Sequence, residues 1–443
     1  MRGESWGKYP KLENQEYRAY DSSIFSEEFS TQQKSELSLP YGLGRSYGDV
    51  CLNANGRVLG TRLHDRFIDF NHKTGELTAQ AGVSLDNAIK LILPKGWFIP
   101  VSPGTQFVTL GGAVGNDIHG KNHHCEGTFG RHVKEFTLRR SNGELLTCSK
   151  DKESDLFKAT IAGLGLTGVI ETVTLSLKRA AGPYIDVETV KFENLDEFFE
   201  IANDSDEDFE YTVAWIDCVN GGSSDWQKKG KGHFIRGNHS SKQASSPSAY
   251  VASKPLLQVP FNLPSFALNR LTLGAFNTLY YNRQLPKSKK RTEHYRPFFY
   301  PLDGILHWNR IYGKRGFLQF QCVVPTVNDN KAIREILDVV YAYGKASFLA
   351  VIKKFGDIAS PGLLSFPREG VTICLDFPYE GEKTLKLFSA LEDKVIAANG
   401  ALYPAKDACM NAKSFQQFYP QWKKFSEYVD PKFSSSFWRR VNE

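Results

Sequence analysis

The 443-residue chain has neither a long hydrophobic run nor a biased composition. No window approaches about 18 uninterrupted apolar residues, so a transmembrane helix is not expected. The opening MRGESWGKYPKLENQEYR lacks the apolar core of a signal peptide. With 41% hydrophobic and 23% charged residues, the composition excludes a disordered chain, a collagen, a coiled coil and a small disulfide scaffold.

Cysteine and net charge are also sparse. The seven cysteines are scattered, and no CxxC or Cys/His zinc spacing occurs. Their odd number fits a reduced, cytoplasmic setting. The 55 basic and 49 acidic residues leave a net charge of +6, which is too mild to indicate a nucleic-acid-binding protein.

The first 180 residues alternate short apolar runs with glycine-rich turns. Strands are predicted within 57–63, 67–70, 76–82, 136–140, 144–149 and 169–179. Helices are predicted at 84–96 and 154–165, with Ser84 and Ser154 as N-caps and Gly163 or Gly165 ending the second. This part is predicted to be a mixed α+β unit.

The pattern changes near residue 183. Helices are predicted at 194–210, 328–344 and 382–400, and strands at 211–219, 316–325, 346–356 and 370–378. Residues Gly221–Pro260 and Lys287–Arg291 have little periodicity and are predicted to be basic loops. A second α+β unit is therefore expected.

Three glycine-rich segments carry the chemical signal. The first runs Pro40-Tyr41-Gly42-Leu43-Gly44-Arg45-Ser46-Tyr47-Gly48-Asp49. Glycine lets the backbone approach a ligand closely, and a turn with exposed N–H groups makes a nest for phosphate oxygens. It is neither the Rossmann GxGxxG nor a Walker motif, and taken alone it is more typical of a surface turn.

The second segment runs from Ser102 to His124, and the third is Gly163-Leu164-Gly165-Leu166-Thr167-Gly168-Val169-Ile170. Taken alone, the third is typical of a helix C-cap. In the second, His119, His123 and His124 suggest metal ligands, but no HExxH pattern or suitable carboxylate accompanies them. We therefore expect no metal site.

Taken together and in this order, the three segments resemble the FAD domain of the vanillyl-alcohol oxidase superfamily, the PCMH-type flavoproteins. NDIHGKNHH followed by FGRHV is similar to the decaprenylphosphoryl-β-D-ribose 2′-oxidase family within it, and so are WNRIYG, GFLQFQ, CLDFP and LYPAKD later in the chain. The resemblance implies an α+β fold of two domains. It implies an FAD-binding domain over 1–183, a substrate-binding domain on an antiparallel sheet with mobile basic loops over 184–400, and a segment over 401–443 that returns to the FAD domain.

The resemblance also implies the cofactor site. Many sugar-lactone oxidases attach FAD through a histidine in the first glycine segment, where this chain has Arg45-Ser46-Tyr47, so the implied FAD is non-covalent. The implied FAD contacts are Pro40, Tyr41, Gly42, Leu43, Gly44, Arg45, Ser46, Tyr47, Gly48, Asp49, Gly104, Thr109, Leu110, Gly111, Gly112, Asn116, Asp117, Ile118, His119, Gly165, Gly168, Ile170 and Tyr403.

The implied reaction oxidises the C2′ hydroxyl of a polyprenyl-phosphate pentose to a ketone. It is the first half of an epimerisation to the arabinose form for cell-envelope glycan. Lys406, His119 and Tyr47 are the candidate catalytic residues, and sequence does not decide whether Lys406 is a base or an electrostatic stabiliser. The implied substrate contacts are Lys121, Trp215, Tyr312, Gln319, Gln321, Lys353, Cys374 and Asp376, with Asn309 as a further hydrogen-bonding candidate and Cys374 lining the pocket without acting as a nucleophile.

Two other functions remain open at this point: an FAD-dependent sugar or aldonolactone oxidase with a soluble substrate, and a flavin- or polyprenyl-binding module without turnover. The family implies a short-chain reductase as partner and a quinone or oxygen as electron acceptor. The basic residues Lys228, Lys229, Lys231 and Lys287–Arg291 suggest peripheral contact with the inner face of an anionic membrane, although solvated loops explain them equally well.

Overall fold

A computed structural model describes residues 3–12, 14–21, 37–219, 226, 229–244, 246–250, 257–264, 268–328, 330–344 and 349–442. Helices and antiparallel sheets are mixed throughout, which confirms the predicted α+β class. The helices are α1 Leu85–Ile92, α2 Leu110–Gly115, α3 His123–Glu126, α4 Ser154–Thr160, α5 Leu195–Ser205, α6 Arg270–Asn282, α7 Tyr295–Phe299, α8 Lys331–Tyr343, α9 Glu382–Ala397, α10 Ala412–Phe418, α11 Trp422–Ser426 and α12 Ser436–Val441.

Two sheets occupy the first part of the chain. A parallel three-stranded sheet has the order β1-β3-β2, and an antiparallel five-stranded sheet has the order β4-β5-β9-β7-β8, while β6 and β10 form a short ribbon. Their strands are β1 Glu16–Ala19, β2 Ser38–Tyr41, β3 Arg57–Gly60, β4 Phe67–Asn71, β5 Glu76–Gln80, β6 Trp97–Phe98, β7 Val133–Arg139, β8 Leu145–Ser149, β9 Val169–Ser176 and β10 Lys178–Arg179.

An eight-stranded antiparallel sheet follows, in the order β15-β11-β13-β12-β18-β19-β17-β20. A parallel ribbon of β14 and β16 lies apart from it. These strands are β11 Tyr184–Phe192, β12 Tyr211–Ile216, β13 Gly232–His239, β14 Leu257–Gln258, β15 Ser288–His294, β16 Ile305–Leu306, β17 Phe317–Val324, β18 Ala350–Phe355, β19 Gly370–Pro378 and β20 Ala401–Leu402.

Amphipathic helices cover one face of the large sheet. Helix α8 buries Ile333, Ile336, Leu337 and Val340, the spacing of a single helical face, and these side chains join one apolar core with those of the sheet. Burying such side chains is the main stabilising contribution. The other face of the sheet is left for the site.

The structure departs from three of our sequence predictions. Helix α4 begins at Ser154 after Glu153, so Ser154 is the first helical residue and not the N-cap, and the helix ends at Thr160, before both predicted glycine stops. Strand β13 lies inside the predicted loop Gly221–Pro260, parts of which, with Lys228, fall outside the described residues. Lys289, Lys290 and Arg291 belong to strand β15 and not to a loop, because β11 supplies backbone partners along its length.

The segment after residue 400 packs on the first part of the chain. Arg440 forms ion pairs with Asp49 at 2.6 Å and with Asp407 at 3.0 Å. Ser38 and Phe433 form a parallel backbone bridge. Strand β20 still pairs with β17 in the large sheet, so the chain leaves that sheet just after the predicted limit at 400. We retain the division into 1–183, 184–400 and 401–443 as a proposal.

Over the ranges that the structure describes, no helix has both the length and the apolar character needed to cross a membrane.

Candidate active site

A cavity of about 1260 Å³ lies between the glycine segments and the uncovered face of the large sheet. We call its first side the loop wall, made by residues from 40–47, 102–121 and 160–170. We call its second side the sheet wall. The sheet wall consists of Val213, Trp215, Gln319, Gln321, Val351, Lys353, Thr372, Cys374 and Asp376.

The first glycine segment leaves strand β2 and bends sharply at Gly44, whose φ is +61°. A Cβ at Gly44 would lie 2.1 Å from the Tyr41 Oη, so only glycine fits. The Arg45 side chain donates to the Phe107 carbonyl at 3.1 Å and lies 4.2 Å from the centre of the Trp6 ring. The segment is therefore held from both sides.

The three glycine segments meet each other directly. A Cβ at Gly42 would lie 2.5 Å from Thr109 Oγ1, and Gly115 and Gly165 face each other across the cavity floor. Thr109 caps helix α2 by accepting from the Gly112 N–H at 3.1 Å. The result is a trough of backbone with few side chains in it.

The sheet wall follows from the two-residue period of strands. On β17, β18 and β19, every second residue faces the cavity, and the residues between them face the apolar core. Trp215 on β12 extends this wall and packs on Tyr280, with ring centres 4.7 Å apart. The sheet wall thus presents side chains, whereas the loop wall presents backbone.

His119 connects the two walls. Its Nε2 lies 2.9 Å from the Gln321 amide nitrogen, and its Nδ1 lies 3.2 Å from the Lys353 Nζ. Burial, with Lys353 next in effect, lowers the His119 pKa well below its usual value, so the ring is neutral.

A neutral imidazole has one N–H and one acceptor. Two arrangements satisfy both neighbours. In one, Lys353 is neutral and accepts from Nδ1–H. In the other, the Gln321 amide is turned so that its oxygen accepts from Nε2–H, and Lys353 donates to Nδ1. Either way, both His119 nitrogens are occupied by the protein.

Three lysines line the cavity. Burial lowers the pKa of Lys121 to about 8 and, together with Lys121 and Lys406, lowers that of Lys353 to about 7. Burial also lowers the Lys406 pKa, which Cys374 and Asp376 raise in part. The Lys121 Nζ donates to the Phe299 carbonyl at 3.2 Å, and the Lys406 Nζ lies 3.8 Å from the centre of the Tyr47 ring.

Burial raises the pKa of each acidic group beside these lysines. Burial raises the pKa of Asp376 to about 7, opposed by the Gln319 amide and the Tyr312 hydroxyl that donate to its carboxylate. Burial likewise raises the pKa of the Cys374 thiol to about 12 and that of Tyr47 well above its usual value. Near pH 7 Lys121 is therefore mostly protonated, whereas Lys353 and Asp376 are each close to half-protonated.

Most of the predicted site residues meet in this cavity, and six do not line it. Gly48 packs on the Asp407 backbone, and Asp49 is held by Arg440. Leu110 is in the core. Asp117 accepts from the Gly130 N–H at 2.8 Å and the Ser365 hydroxyl at 2.6 Å. Tyr312 lies behind Asp376, and Asn309 is also off the wall, with its amide donating to the Trp6 carbonyl at 3.4 Å.

Sequence reasoning missed several lining residues. Strand periodicity could have predicted Val213, Val351 and Thr372, since each lies two residues from a predicted site residue on the same strand. Nothing local in the sequence marked the segment 297–308, which closes one end of the cavity. The other two histidines of the second glycine segment lie off the wall: His123 packs on Phe355, and the His124 ring nitrogen lies 2.9 Å from the Phe209 carbonyl.

Comparison with known proteins agrees with this geometry. The family model for an FAD binding domain matches residues 31–149. A decaprenylphosphoryl-β-D-ribose oxidase of Mycolicibacterium smegmatis is 37% identical over 415 residues, covering 90% of this chain and 88% of that protein. This chain belongs to the decaprenylphosphoryl-β-D-ribose oxidase family. It is an FAD-dependent oxidoreductase.

Other relatives of this family match less of the chain. An uncharacterized protein of Streptomyces coelicolor is 31% identical over 374 residues, covering 81% of this chain and all of that protein. The L-gulonolactone oxidase of Mus musculus is 28% identical over 146 residues, covering 32% of each chain.

The residues of the loop wall fit FAD. Gly104 has open space where a Cβ would be, and the nearest atom to that position at Gly115 is 3.7 Å away, so a flat ligand can approach the backbone. The buried Asn116 Oδ1 on this wall has no hydrogen-bond partner among the described residues. An isoalloxazine or ribityl donor would satisfy that oxygen.

Proposed function

We propose that this enzyme oxidises the C2′ hydroxyl of a polyprenyl-phosphate pentose, ribose in the first instance, to the 2′-keto sugar. The observation that carries the proposal is the convergence of Lys121, Lys353 and Lys406 on one cavity beside the flavin trough. None of the three forms an ion pair with a carboxylate among the described residues, although Asp376 is near enough to raise the Lys406 pKa, and buried amines that can carry a proton favour an anionic ligand. A phosphodiester-linked sugar supplies that charge.

The far end of the cavity supports a lipid-linked substrate. The lining contributed by residues 276–311 includes the apolar side chains of Phe276, Leu302, Ile305 and Ile311. Phe276 is 44% exposed and Leu306 is 41% exposed, so the cavity opens to the outside at this end. A polyprenyl chain would leave the cavity past these apolar side chains.

When bound, FAD supplies the hydride acceptor of the reaction. The chain itself handles the hydroxyl proton. We assign this to Lys406, because its lowered pKa makes the neutral amine accessible and its Nζ is held over the Tyr47 ring.

The other two candidates take different parts. His119 positions Gln321 and Lys353, since both of its nitrogens are already engaged. Tyr47 remains a neutral phenol, because burial raises its pKa.

The sheet wall would hold the sugar. Gln319 and Gln321 present amide groups, Trp215 offers a flat apolar face, and Cys374 remains a thiol that only lines the pocket. The first glycine segment contains no histidine, which supports non-covalent FAD. A short-chain reductase that completes an epimerisation, and a quinone or oxygen that reoxidises the flavin, belong to the same proposal, as does a role in cell-envelope arabinan synthesis.

A soluble lactone is the competing substrate. The mouse L-gulonolactone oxidase match covers only 32% of this chain, whereas the ribose oxidase match covers 90%. A lactone would also leave the three lysines without an anion.

Anaerobic mixing of the FAD-loaded enzyme with a polyprenyl-phospho-ribose should bleach the flavin absorbance, and L-gulonolactone should not. The uncharged polyprenyl riboside without phosphate is the matched control and should bleach it far more slowly. Bleaching by the lactone alone would overturn the proposal, and equal rates with and without phosphate would remove the role of the lysines.

A further inference from the structure

The region around the cavity mouth has an unusual charge composition. From Trp226 to Thr292 the sequence contains twelve lysine and arginine residues and no aspartate or glutamate, although the whole chain has 49 acidic residues. The nearest carboxylates that follow are turned inward. Glu293 lines the cavity and pairs with Arg291 at 2.9 Å, and Asp303 accepts from Thr105 and the Gln106 N–H.

The same region carries most of the large exposed apolar side chains in the described part of the chain. We call this set the apolar rim. Its members are Leu257, Phe261, Leu271, Phe276, Leu279, Leu285 and Leu306. Leu271 is 83% exposed, Leu279 is 73% exposed and Leu285 is 89% exposed. A single exposed apolar side chain is ordinary, whereas a cluster of them marks an interaction site.

Helix α6 is amphipathic with its apolar face turned outward. Leu271, Ala275 and Leu279 recur every four residues on its exposed side. Its other side is anchored: Leu273 is buried, and the buried Asn277 donates to Asp217 Oδ1 at 2.7 Å. The packing therefore fixes the helix with Leu271 and Leu279 directed away from the protein.

The apolar rim borders the cavity opening. Phe276 and Leu306 belong both to the rim and to the cavity lining. Strand β14 pairs with β16, which brings Leu257 beside Ile305 at the same opening. Exposed cations lie close by: Arg283 lines the cavity, and Lys289 and Lys290 are exposed on edge strand β15.

We propose that the apolar rim and the cations around it form a docking surface for an anionic lipid bilayer, with α6 lying in the membrane interface. Outward leucines on a helix flanked by lysine and arginine are the features that bind such interfaces. Each basic side chain near an anionic leaflet adds to the attraction. The inference rests on the proposed function, because it places the cavity opening where a lipid-linked substrate would enter.

The features of this surface favour a lipid bilayer over a protein as its partner. Four of the twelve basic side chains pair with carboxylates, in the pairs Lys229–Asp338, Arg236–Glu188, Lys287–Glu197 and Arg291–Glu293. The cations nearest the rim, Arg270, Arg283, Lys289 and Lys290, form no ion pair with a carboxylate among the described residues, so they match a continuous negative surface better than a mixed-charge protein face. The rim also shares Phe276 and Leu306 with the cavity lining, which would place a bilayer beside the cavity opening.

Sedimentation of the FAD-loaded full-length protein with vesicles tests this. Vesicles of phosphatidylcholine with about 30 mol% phosphatidylglycerol, a typical anionic membrane, should carry the protein down, and pure phosphatidylcholine should carry little. The double variant Leu271→Ser/Leu279→Ser should bind about tenfold more weakly. The matched control Leu63→Ser/Ile68→Ser, which removes exposed apolar residues from the first part of the chain, should bind as the wild type does.

The charge contribution has its own matched pair. Lys289→Gln/Lys290→Gln should weaken binding to anionic vesicles and make its loss with salt shallower, whereas Lys331→Gln/Lys386→Gln, two exposed lysines on α8 and α9, should change neither. Retained flavin absorbance shows that each variant is folded. None of the four test residues lines the cavity.

Absence of sedimentation, or sedimentation that the rim variants leave unchanged, would overturn the inference. A vesicle-free dimer that the Leu271→Ser/Leu279→Ser variant dissociates would overturn it in favour of a second copy of the chain. Flavin reduction by a short-chain, water-soluble polyprenyl-phospho-ribose should be unchanged in the rim variants. A failed membrane assay with intact reduction rejects the docking surface alone, and lost reduction in the wild type rejects the proposed function.

Discussion

The two walls of the cavity are made from different parts of the polypeptide. The loop wall is mostly glycine backbone from three segments, each short and continuous in sequence. The sheet wall is side chains from four strands that lie far apart in the chain. Backbone recognition tolerates only glycine at its closest points, whereas side-chain recognition depends on charge and protonation. Substitutions in the two walls should therefore have different effects on FAD retention, substrate binding and pH dependence.

The largest effect is expected beside the sheet wall. Lys406→Ala should slow anaerobic flavin reduction by about 10²–10⁴-fold, because a positioned proton acceptor is lost. FAD content should be unchanged, since the glycine segments remain intact. Lys386→Ala, whose side chain is 82% exposed, is the control. An unchanged reduction rate in Lys406→Ala would remove this lysine from the chemistry.

A smaller effect, on stability, is expected behind the loop wall. Arg440→Met should lower the free energy of unfolding by about 3 kcal/mol, because it leaves Asp49 and Asp407 buried without a counter-charge. FAD should also dissociate more readily, since Asp49 ends the first glycine segment. Denaturant unfolding and released-flavin fluorescence measure the two effects. The exposed Lys386–Glu382 pair is the matched control, and Lys386→Met should change stability by less than about 0.5 kcal/mol.

These contrasts explain how far the sequence predicted the site. The loop wall was predicted from the resemblance that three short glycine motifs carry together, because Gly42, Gly44 and Gly112 each lie in a segment that is continuous in sequence. The sheet wall depended on resemblance, because Lys353 and Gln321 meet His119 only through strand pairing. Long-range pairing also explains why Lys289 and Lys290 were predicted to be in a loop: β11, about a hundred residues earlier, makes them a strand.

The roles of Asp49 and Asp117 show that a local sequence motif does not reveal the long-range partners of its side chains. Both belong to glycine-rich segments, and both were predicted to contact FAD. The structure uses Asp49 to pair with Arg440 near the C-terminus, and Asp117 to hold Gly130 and Ser365. Burial raises the Asp117 pKa to about 6, which marks a structural carboxyl as readily as a functional one.

Two glycine-to-alanine substitutions separate the effect of a steric clash on the loop wall from the effect of backbone strain alone. Gly44→Ala places a Cβ 2.1 Å from the Tyr41 Oη at a φ of +61°, so the segment must move and FAD retention should fall. Gly344→Ala has the same left-handed strain, with a φ of +72°, but meets nothing within 4 Å. Both should cost about 1 kcal/mol of stability from strain alone. Equal FAD retention in the two variants would show that the first segment adapts freely.

The smallest effect is a pH dependence on the sheet wall. The Lys353 pKa of about 7 means that its ammonium is present below pH 7 and lost above it. The affinity for a phosphodiester-linked sugar should therefore fall by up to about tenfold from pH 6 to pH 8. Lys353→Met should give weaker binding with a shallower pH profile, since only Lys121 and Asp376 then titrate in this range, and Lys353→Arg should give the same shallow profile with the charge kept. A profile as steep in Lys353→Met as in the wild type would assign the titration to another group.

The same lysine has an opposite effect on stability. In the unfolded chain Lys353 keeps its proton to about pH 10.4, whereas in the folded protein it loses the proton near pH 7. The unfolded state thus binds more protons between those values, so the free energy of unfolding rises with pH across that range. Lys353→Met removes this slope, so its advantage in melting temperature over the wild type should be largest below pH 7 and shrink towards pH 9. Since Gly44→Ala carries no titrating group, its destabilisation should stay constant over the same range, and this separates the two walls in a single set of melting curves.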